Sequence, residues 1–498
     1  MKNNQDNYFE EYIKNQSDEK VEILKDFFQE FHTHCLLKNT EKKILREDFE
    51  KAILYYETIG VPIEKALELL DIKYLGGFYA RPPILWFALD DAAKIYPMSM
   101  KHGSMPIFRM SVYLKKDVVP ELLQMALNFT IKRFPSFATT LKKGFFWHYL
   151  DTAKRRFCIE QESDIPCQPI QVSYSGSQSF RVLHYNNRIS VEFFHVLTDG
   201  TGGMTFLKTL TAEYLRLAEA EIVSDETLWD VNNIPSEEEF ENAFAKVPQS
   251  DTASGFIDKS AVQMSGRLAI NMPCRIVHLK IDTLQLKEAA KKYNTTVTGY
   301  LLLLMFVAGK AATDELSGDI SIQVPVNMRK FYPSETVRNF SMYCGIRIPI
   351  AKISDTPSII DEINEQLHKK ASKEAMNEML TSTEKMVNML KFVPLAVKQP
   401  VAKVIYGFLG DKIFTNTLSN LGVVEMPASI SKHIDSMDFI LGTAITNRAG
   451  CSVVTFDNTT NFSIAKMTVD PSFEEKMYDL LQADGVEVCV EGSGYYEN

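Results

Sequence analysis

The chain has 498 residues, enough for two or three domains with cores of their own. A formal net charge of −10 speaks against nucleic acid as the main partner, and 45% hydrophobic residues is the balance of an ordinary globular protein. Seven scattered cysteines form no disulfide framework, so a reducing cytoplasm is the expected setting. Residues 1–82 read as a helical N-terminal extension. Val21–Phe31 and Glu47–Thr58 carry apolar residues at helical spacing, and Ile63–Leu70 follows Pro62 at a helix start. The opening twenty residues are polar and show no signal-peptide pattern. His32, His34 and Cys35 stand together, but no second cluster of ligand spacing follows, so no metal is expected.

Residues 83–265 read as one α/β lobe. Ile107–Leu114 has strand character, Val118–Phe134 is helical up to Pro135, and Thr139–Tyr149 reads as another strand. Asn186-Asn187 looks like a hairpin turn, after which Ile189, Val191 and Phe193 recur at period two. Gly200, Gly202 and Gly203 then permit a tight turn. Beyond it Leu207, Leu210, Tyr214 and Leu217 fall on one helical face. His195 therefore stands at a strand end beside a glycine-rich turn, where a scaffold can hold an imidazole rigidly yet within reach. Glu219–Glu241 holds nine acidic residues and no Lys or Arg, and reads with Ser250–Gly255 as a solvated connector between lobes.

Residues 266–498 repeat the theme as a second lobe. Strands are expected at Arg275–Ile281, Ser321–Pro325, Ser341–Pro349, Leu418–Met426, Phe439–Ala444, Cys451–Phe456 and Val486–Val490. Helices are expected at Thr283–Tyr293, Thr296–Ala312, Ser358–Ala371, Glu374–Val393 and Phe473–Gln482. The apolar run Tyr300–Ala308 is too short to span a bilayer.

Few residues suit chemistry. A neutral imidazole with a pKa of about 6.5 can take a proton from an alcohol or amine, which supplies roughly 10²–10⁴-fold in rate. Without such help a hydroxyl is a poor nucleophile. His195 is the candidate, although a single His at a strand end is by itself more often structural. Asp199 could orient it as in a triad. Asn327, Arg329 and Asn339 form a second constellation, whose plain reading is side chains satisfying loop carbonyls. His148, His184 and His278 read as structural, and Cys344 and Cys451 have no basic neighbour to activate a thiol.

His195, Asp199 and Gly200 spell HxxxDG. This resembles the HHxxxDG motif of the chloramphenicol acetyltransferase-like superfamily, which includes nonribosomal peptide condensation domains, plant BAHD acyltransferases and bacterial alcohol acetyltransferase-like proteins. Phe194 occupies the position of the first His; in the superfamily the second is the proposed base. WFALDDAAKIYP, from Trp86, is similar to the opening of the bacterial alcohol acetyltransferase-like group, PVNMRKFYP to its PVN-x-R segment, and Thr417–Gly422 to the SN-x-G stretch of its second lobe. The resemblance covers about residues 85–498. It implies a two-lobe α/β fold with an active site in a channel between lobes, and no permanently bound cofactor. His195 would be the general base for an alcohol or amine acceptor. Asp199, Gly200 and Arg329 would be structural or orienting, with Arg329 pairing Asp199. Asn327, Asn339, Ser419 and Asn420 would be possible oxyanion or substrate contacts. The acyl donor would be acyl-CoA, or alternatively a separate phosphopantetheinyl carrier protein, as in condensation domains. A non-catalytic binding module of the same fold is the other reading, favoured by Phe194 and the N-terminal segment.

Overall fold

The computed structural model describes residues 6–80, 86–91, 93–94, 96–99, 105–152, 157–170, 178–252, 259–353, 359–398, 411–442 and 448–496. Helices α1 (Asp6–Lys14), α2 (Asp18–His34), α3 (Asn39–Thr58) and α4 (Ile63–Leu69) form the extension. Ser17 caps α2 by accepting from Lys20 N, and the buried stripe Leu24, Phe27, Phe28 and Phe31 gives that helix its inward face. The extension packs on helices α6 (Pro120–Thr130) and α7 (Gly200–Leu217), which follow the short helix α5 (Tyr96–Ser99). Phe49 meets Phe129 at 6.1 Å, Asn128 donates to the buried Asp48 at 2.9 Å, and Tyr56 donates to the Leu217 carbonyl at 2.6 Å.

Three sheets follow. Strands β1 (Trp86–Ala88), β3 (Thr139–Lys143) and β4 (His148–Thr152) make a small one, in the order β1-β4-β3. The expected single strand Thr139–Tyr149 is thus a hairpin. Gly144 donates to the Trp147 carbonyl at 3.0 Å, and a Cβ there would come within 2.5 Å of that oxygen, so glycine makes the turn possible. Strands β2 (Ile107–Leu114), β5 (Ile159–Gln161), β6 (Phe180–Tyr185), β7 (Arg188–Phe194) and β12 (Ile434–Leu441) form a five-stranded sheet, in the order β12-β2-β7-β6-β5. The turn at Asn186 takes a φ of 46° between β6 and β7.

Strands β8 (Arg275–Asp282), β9 (Asp319–Asn327), β10 (Ser341–Pro349), β11 (Asn416–Val423), β13 (Ala449–Phe456), β14 (Thr459–Lys466) and β15 (Val488–Gly492) form a seven-stranded sheet, in the order β10-β9-β11-β13-β14-β8-β15. Against it pack α8 (Thr283–Lys292), the mostly apolar α9 (Val297–Ala311), α10 (Ile360–Lys370), α11 (Lys373–Met389) and the helix Ser472–Ala483.

One expectation of sheet membership needs correcting. The segment read as Phe439–Ala444, of which residues 443 and 444 lie outside the described residues, does not complete the second sheet. As β12 it crosses to the first and pairs antiparallel with β2. Period-two alternation identifies a strand but not the edge it joins. Asp438, 1% exposed, finds the Tyr113 hydroxyl at 2.7 Å only on that edge. The acidic connector is largely solvated, as its composition suggests: seven of the nine acidic residues of Glu219–Glu241 are exposed, and Glu239 is an anchored exception. Glu239 forms an ion pair with Arg133, and its carbonyl accepts from Val337 N at 2.7 Å. The connector is thereby tied to the loop between β9 and β10.

Candidate active site

β7 delivers His195 to the seam between the two large sheets. The strand alternates Ile189, Val191 and Phe193 inward, all 0% exposed, and His195 continues the series one step past the last pair. Its backbone N–H donates to the Pro106 carbonyl at 2.8 Å, which fixes the strand end. Asp199 caps α7, accepting from Thr201 N and Gly202 N at 3.1 Å each. Gly202 is needed for close approach: a Cβ would lie 2.0 Å from the Val337 carbonyl, which accepts from Thr198 Oγ1 at 2.5 Å. The first turn of α7 is pressed directly onto the loop from the other sheet.

That loop supplies the partners. Arg329 Nη1 donates to Asp199 Oδ2 at 2.7 Å, and Phe340 N donates to the same oxygen at 2.7 Å. The rest of the guanidinium holds the loop itself, reaching the carbonyls of Thr336 at 2.6 Å and Arg338 at 2.9 Å. Asp199 therefore serves the helix cap with one oxygen and the far lobe with the other.

Asn339 faces His195 with both ends of its amide. Nδ2 donates to the His195 carbonyl at 2.8 Å, and Oδ1 lies 2.9 Å from His195 Nδ1. The donation settles which end of the amide is oxygen, so Nδ1 must carry the ring proton. The lone pair is then on Nε2. Tyr96 stacks on the imidazole at 4.8 Å, and Phe108 meets it edge-on at 5.2 Å. Burial holds the imidazole below its ordinary pKa, and the nearby carbonyls of His195 and Thr198 and the charge of Asp199 only partly offset this. The ring is neutral at pH 7 and partly exposed.

The other expected site residues are distributed as follows. Asn327 Oδ1 accepts from Arg329 N at 3.0 Å, and its Nδ2 donates to Thr201 Oγ1 at 3.2 Å, so its amide joins the loop to α7. Asn420 donates to Thr298 Oγ1 at 3.1 Å and accepts from Gly422 N at 2.8 Å, which commits its amide to a local turn. Ser419, beside it on β11, is partly buried. Phe194 is fully buried against β2, where an imidazole would lack water.

Two residues escaped the sequence reading. Tyr96 closes over His195 from a short helix whose sequence shows nothing unusual. Asp90, 1% exposed, pairs with Arg338 at 2.9 Å, next to Asn339; burial pushes its carboxyl up to about 7, against the Arg338 charge. Two adjacent acids in an otherwise apolar stretch, Asp90-Asp91, were the available signal. Among the described residues, no group of three His, Cys, Asp or Glu side chains could hold a metal ion.

Solved structures share this architecture. Trichothecene 15-O-acetyltransferase TRI3 from Fusarium sporotrichioides is similar over 80% of this chain and 95% of its own, with a TM-score of 0.55 and 11% identity. TRI101 of F. sporotrichioides, solved with coenzyme A and T-2, matches over 81% of this chain and 99% of its own, at TM-score 0.52 and 12% identity. The first condensation domain of the calcium-dependent antibiotic synthetase, solved with a substrate analogue, matches over 80% and 94%, at 0.52 and 12%. The chain has the fold of the chloramphenicol acetyltransferase-like superfamily. No family model and no curated protein sequence matches it. Within that fold, the HxxxDG turn lies where the two large sheets meet.

Proposed function

We propose that the chain is an acyltransferase that moves an acyl group from a thioester, with acyl-CoA as the favoured donor, to the hydroxyl of an alcohol. The observation that carries the reading is the Asn339 lock on His195. A neutral ring, protonated on Nδ1 and fixed through its own carbonyl, offers the Nε2 lone pair in one orientation at the seam of the sheets. The acceptor oxygen would attack the thioester carbon as its proton passes to Nε2. The tetrahedral adduct would collapse by breaking the carbon–sulfur bond, and the departing thiolate would take the proton back from the imidazolium. The products are an ester and a free thiol.

Asp199 and Arg329 hold the turn rather than the proton, because Asp199 spends its oxygens on α7, Arg329 and Phe340. Asn327 and Asn420 are occupied locally and Asn339 positions the base, which leaves Ser419 as the group we assign to the oxyanion. The coenzyme A bound in TRI101 supports acyl-CoA as the donor class, and the likeness to a condensation domain keeps a carrier-borne thioester as the alternative.

The test is thiol release from acyl-CoAs of increasing chain length, with and without pooled alcohols and amines, for wild type and His195→Ala. Circular dichroism would confirm that both proteins are folded. Alcohol-stimulated release that drops about 10²–10⁴-fold in the variant supports the assignment. Equal rates in the two proteins would remove His195 as the base, and preference for amines would replace the ester product with an amide.

A further inference from the structure

The turn of the β3–β4 hairpin and the end of α11 meet on one surface that gathers three exposed phenylalanine rings, Phe145, Phe146 and Phe392. Phe145 is 71% exposed, and Phe392 and Met389 are each 77% exposed. Phe145 and Phe146 lie 4.8 Å apart, and Phe146 and Phe392 6.3 Å apart. A hydrogen bond from Leu395 N to the Phe145 carbonyl at 2.8 Å ties the two segments together. Single exposed apolar residues are ordinary, but a contiguous group of this kind marks a surface that meets something.

The segments that carry the rings are basic, and the acids beside them, Asp151 and Asp91, are paired with Lys142 and Lys94. Residues 140–149 and 385–398 contain five lysines and no Asp or Glu, in a chain whose net charge is −10. Lys143, Lys385 and Lys391 are exposed, and Lys391 Nζ lies 5.7 Å from the Phe392 ring. The surface also adjoins the candidate active site: Lys94 Nζ lies 5.8 Å from the Trp147 ring, and Tyr96, two residues on, stacks against His195.

We propose that this face docks on an anionic phospholipid bilayer, with Phe145, Phe146 and Phe392 entering the boundary between headgroups and acyl chains. Lys143, Lys385 and Lys391 meet the lipid phosphates. A hairpin tip is convex, and a bilayer accepts a convex apolar tip without a matching groove; its anionic surface supplies the opposite charge. Among the described residues no helix is long and apolar enough to cross a membrane, so the contact is peripheral. The docking does not depend on the chemistry assigned to His195.

The test is co-sedimentation of the full chain with vesicles of phosphatidylcholine alone and of phosphatidylcholine mixed with phosphatidylglycerol. Binding should be strong only to the mixed vesicles and should weaken with salt. Phe145→Ser/Phe392→Ser should abolish it, and Lys143→Gln and Lys391→Gln should each weaken it about fivefold. All four positions are exposed, and circular dichroism would verify the fold. Failure of wild type to bind the mixed vesicles, or equal binding by the double phenylalanine variant, overturns the proposal. So does a wild-type oligomer, seen by analytical ultracentrifugation, that the double variant dissolves, since a second copy of the chain would then cover the face.

Discussion

The two faces of the β2–β7 ladder carry opposite kinds of polarity. On one, Phe108, Met110 and Val112 lie beside Ile189, Val191 and Phe193, and His195 continues the row. On the other, Arg109, Ser111 and Tyr113 lie beside Arg188, Ser190 and Glu192. Arg109 is 1% exposed and grips Glu162 with two bonds of 2.8 and 2.6 Å. Arg188 shares Glu162, while Arg181 and Cys167 N hold Glu192. Burial alone would raise the Glu162 carboxyl, yet Arg109 and Arg188 hold it below the usual range. Each carboxylate there has a cation or hydroxyl against it, and the network fastens β12 to the sheet through Tyr113 and Asp438. The apolar face instead ends in one imidazole, engaged on Nδ1 by Asn339 and not fully buried. Buried charge marks how the sheet is held together; chemistry is available where a polar group is partnered on one side only.

Substitutions on the two faces should therefore fail in opposite ways. Arg109→Met takes from Glu162 the cation that grips it with two bonds and should cost about 3–5 kcal/mol in urea unfolding, with turnover per folded molecule kept. His195→Ala should do the reverse, losing turnover at a smaller cost in stability, about 1–3 kcal/mol for the Asn339 amide left without its partner. If Arg109→Met silenced a stable protein, the ionic face would have a chemical role and the comparison would break. Arg329→Ala tests the seam, where the two effects should coincide. It strands Asp199 at 2% exposure, so stability should again fall by about 3–5 kcal/mol, and turnover with it. Smaller effects are expected at Asn339. Removing its side chain in Asn339→Ala leaves the His195 Nδ1–H unsatisfied, a loss of about 1–3 kcal/mol, and frees the ring to turn. Asn339→Asp keeps an acceptor for that proton and should recover part of the rate, which a purely structural role for the amide would not produce.

The sequence carried more of the candidate active-site turn than of its surroundings. Period two leading up to His195 and the glycines of the turn are local features, set by strand pleat and backbone freedom, and they read directly from the chain. The Asp199–Arg329 pair spans 130 residues and came only from a resemblance to known motifs. No local rule reveals that Asn339 reads the His195 ring, or that Tyr96 covers it, because both depend on how two sheets meet. The same holds for β12: its residues alternate as a strand's should, but its place beside β2 is a matter of packing. The hairpin read as one strand is different, since Gly144 stood in the sequence as a turn signal.

The finest test of the comparison is pH. Burial holds His195 below the ordinary value of about 6.5, where the unfolded chain takes up its proton. On acidification the unfolded state binds that proton first. The contribution of His195 to stability is therefore full above about 6.5 and is lost as pH falls through the folded value. Buried His278 has the same sign, and Asp90, raised to about 7, has the opposite one. A raw stability curve mixes these, so the quantity to measure is the difference between wild type and His195→Gln, which should shrink from pH 7 to pH 5. It can change by no more than about 1.4 kcal/mol for each unit by which folding lowers the pKa. If His195 is the base, as proposed, the same proton blocks it, so kcat/KM should be flat around pH 7 and fall about tenfold per pH unit on an acid limb below 6.5. An acid limb at or above 6.5 would mean that the imidazole is stabilised as a cation. His195 would then belong with the paired charges of the other face rather than apart from them.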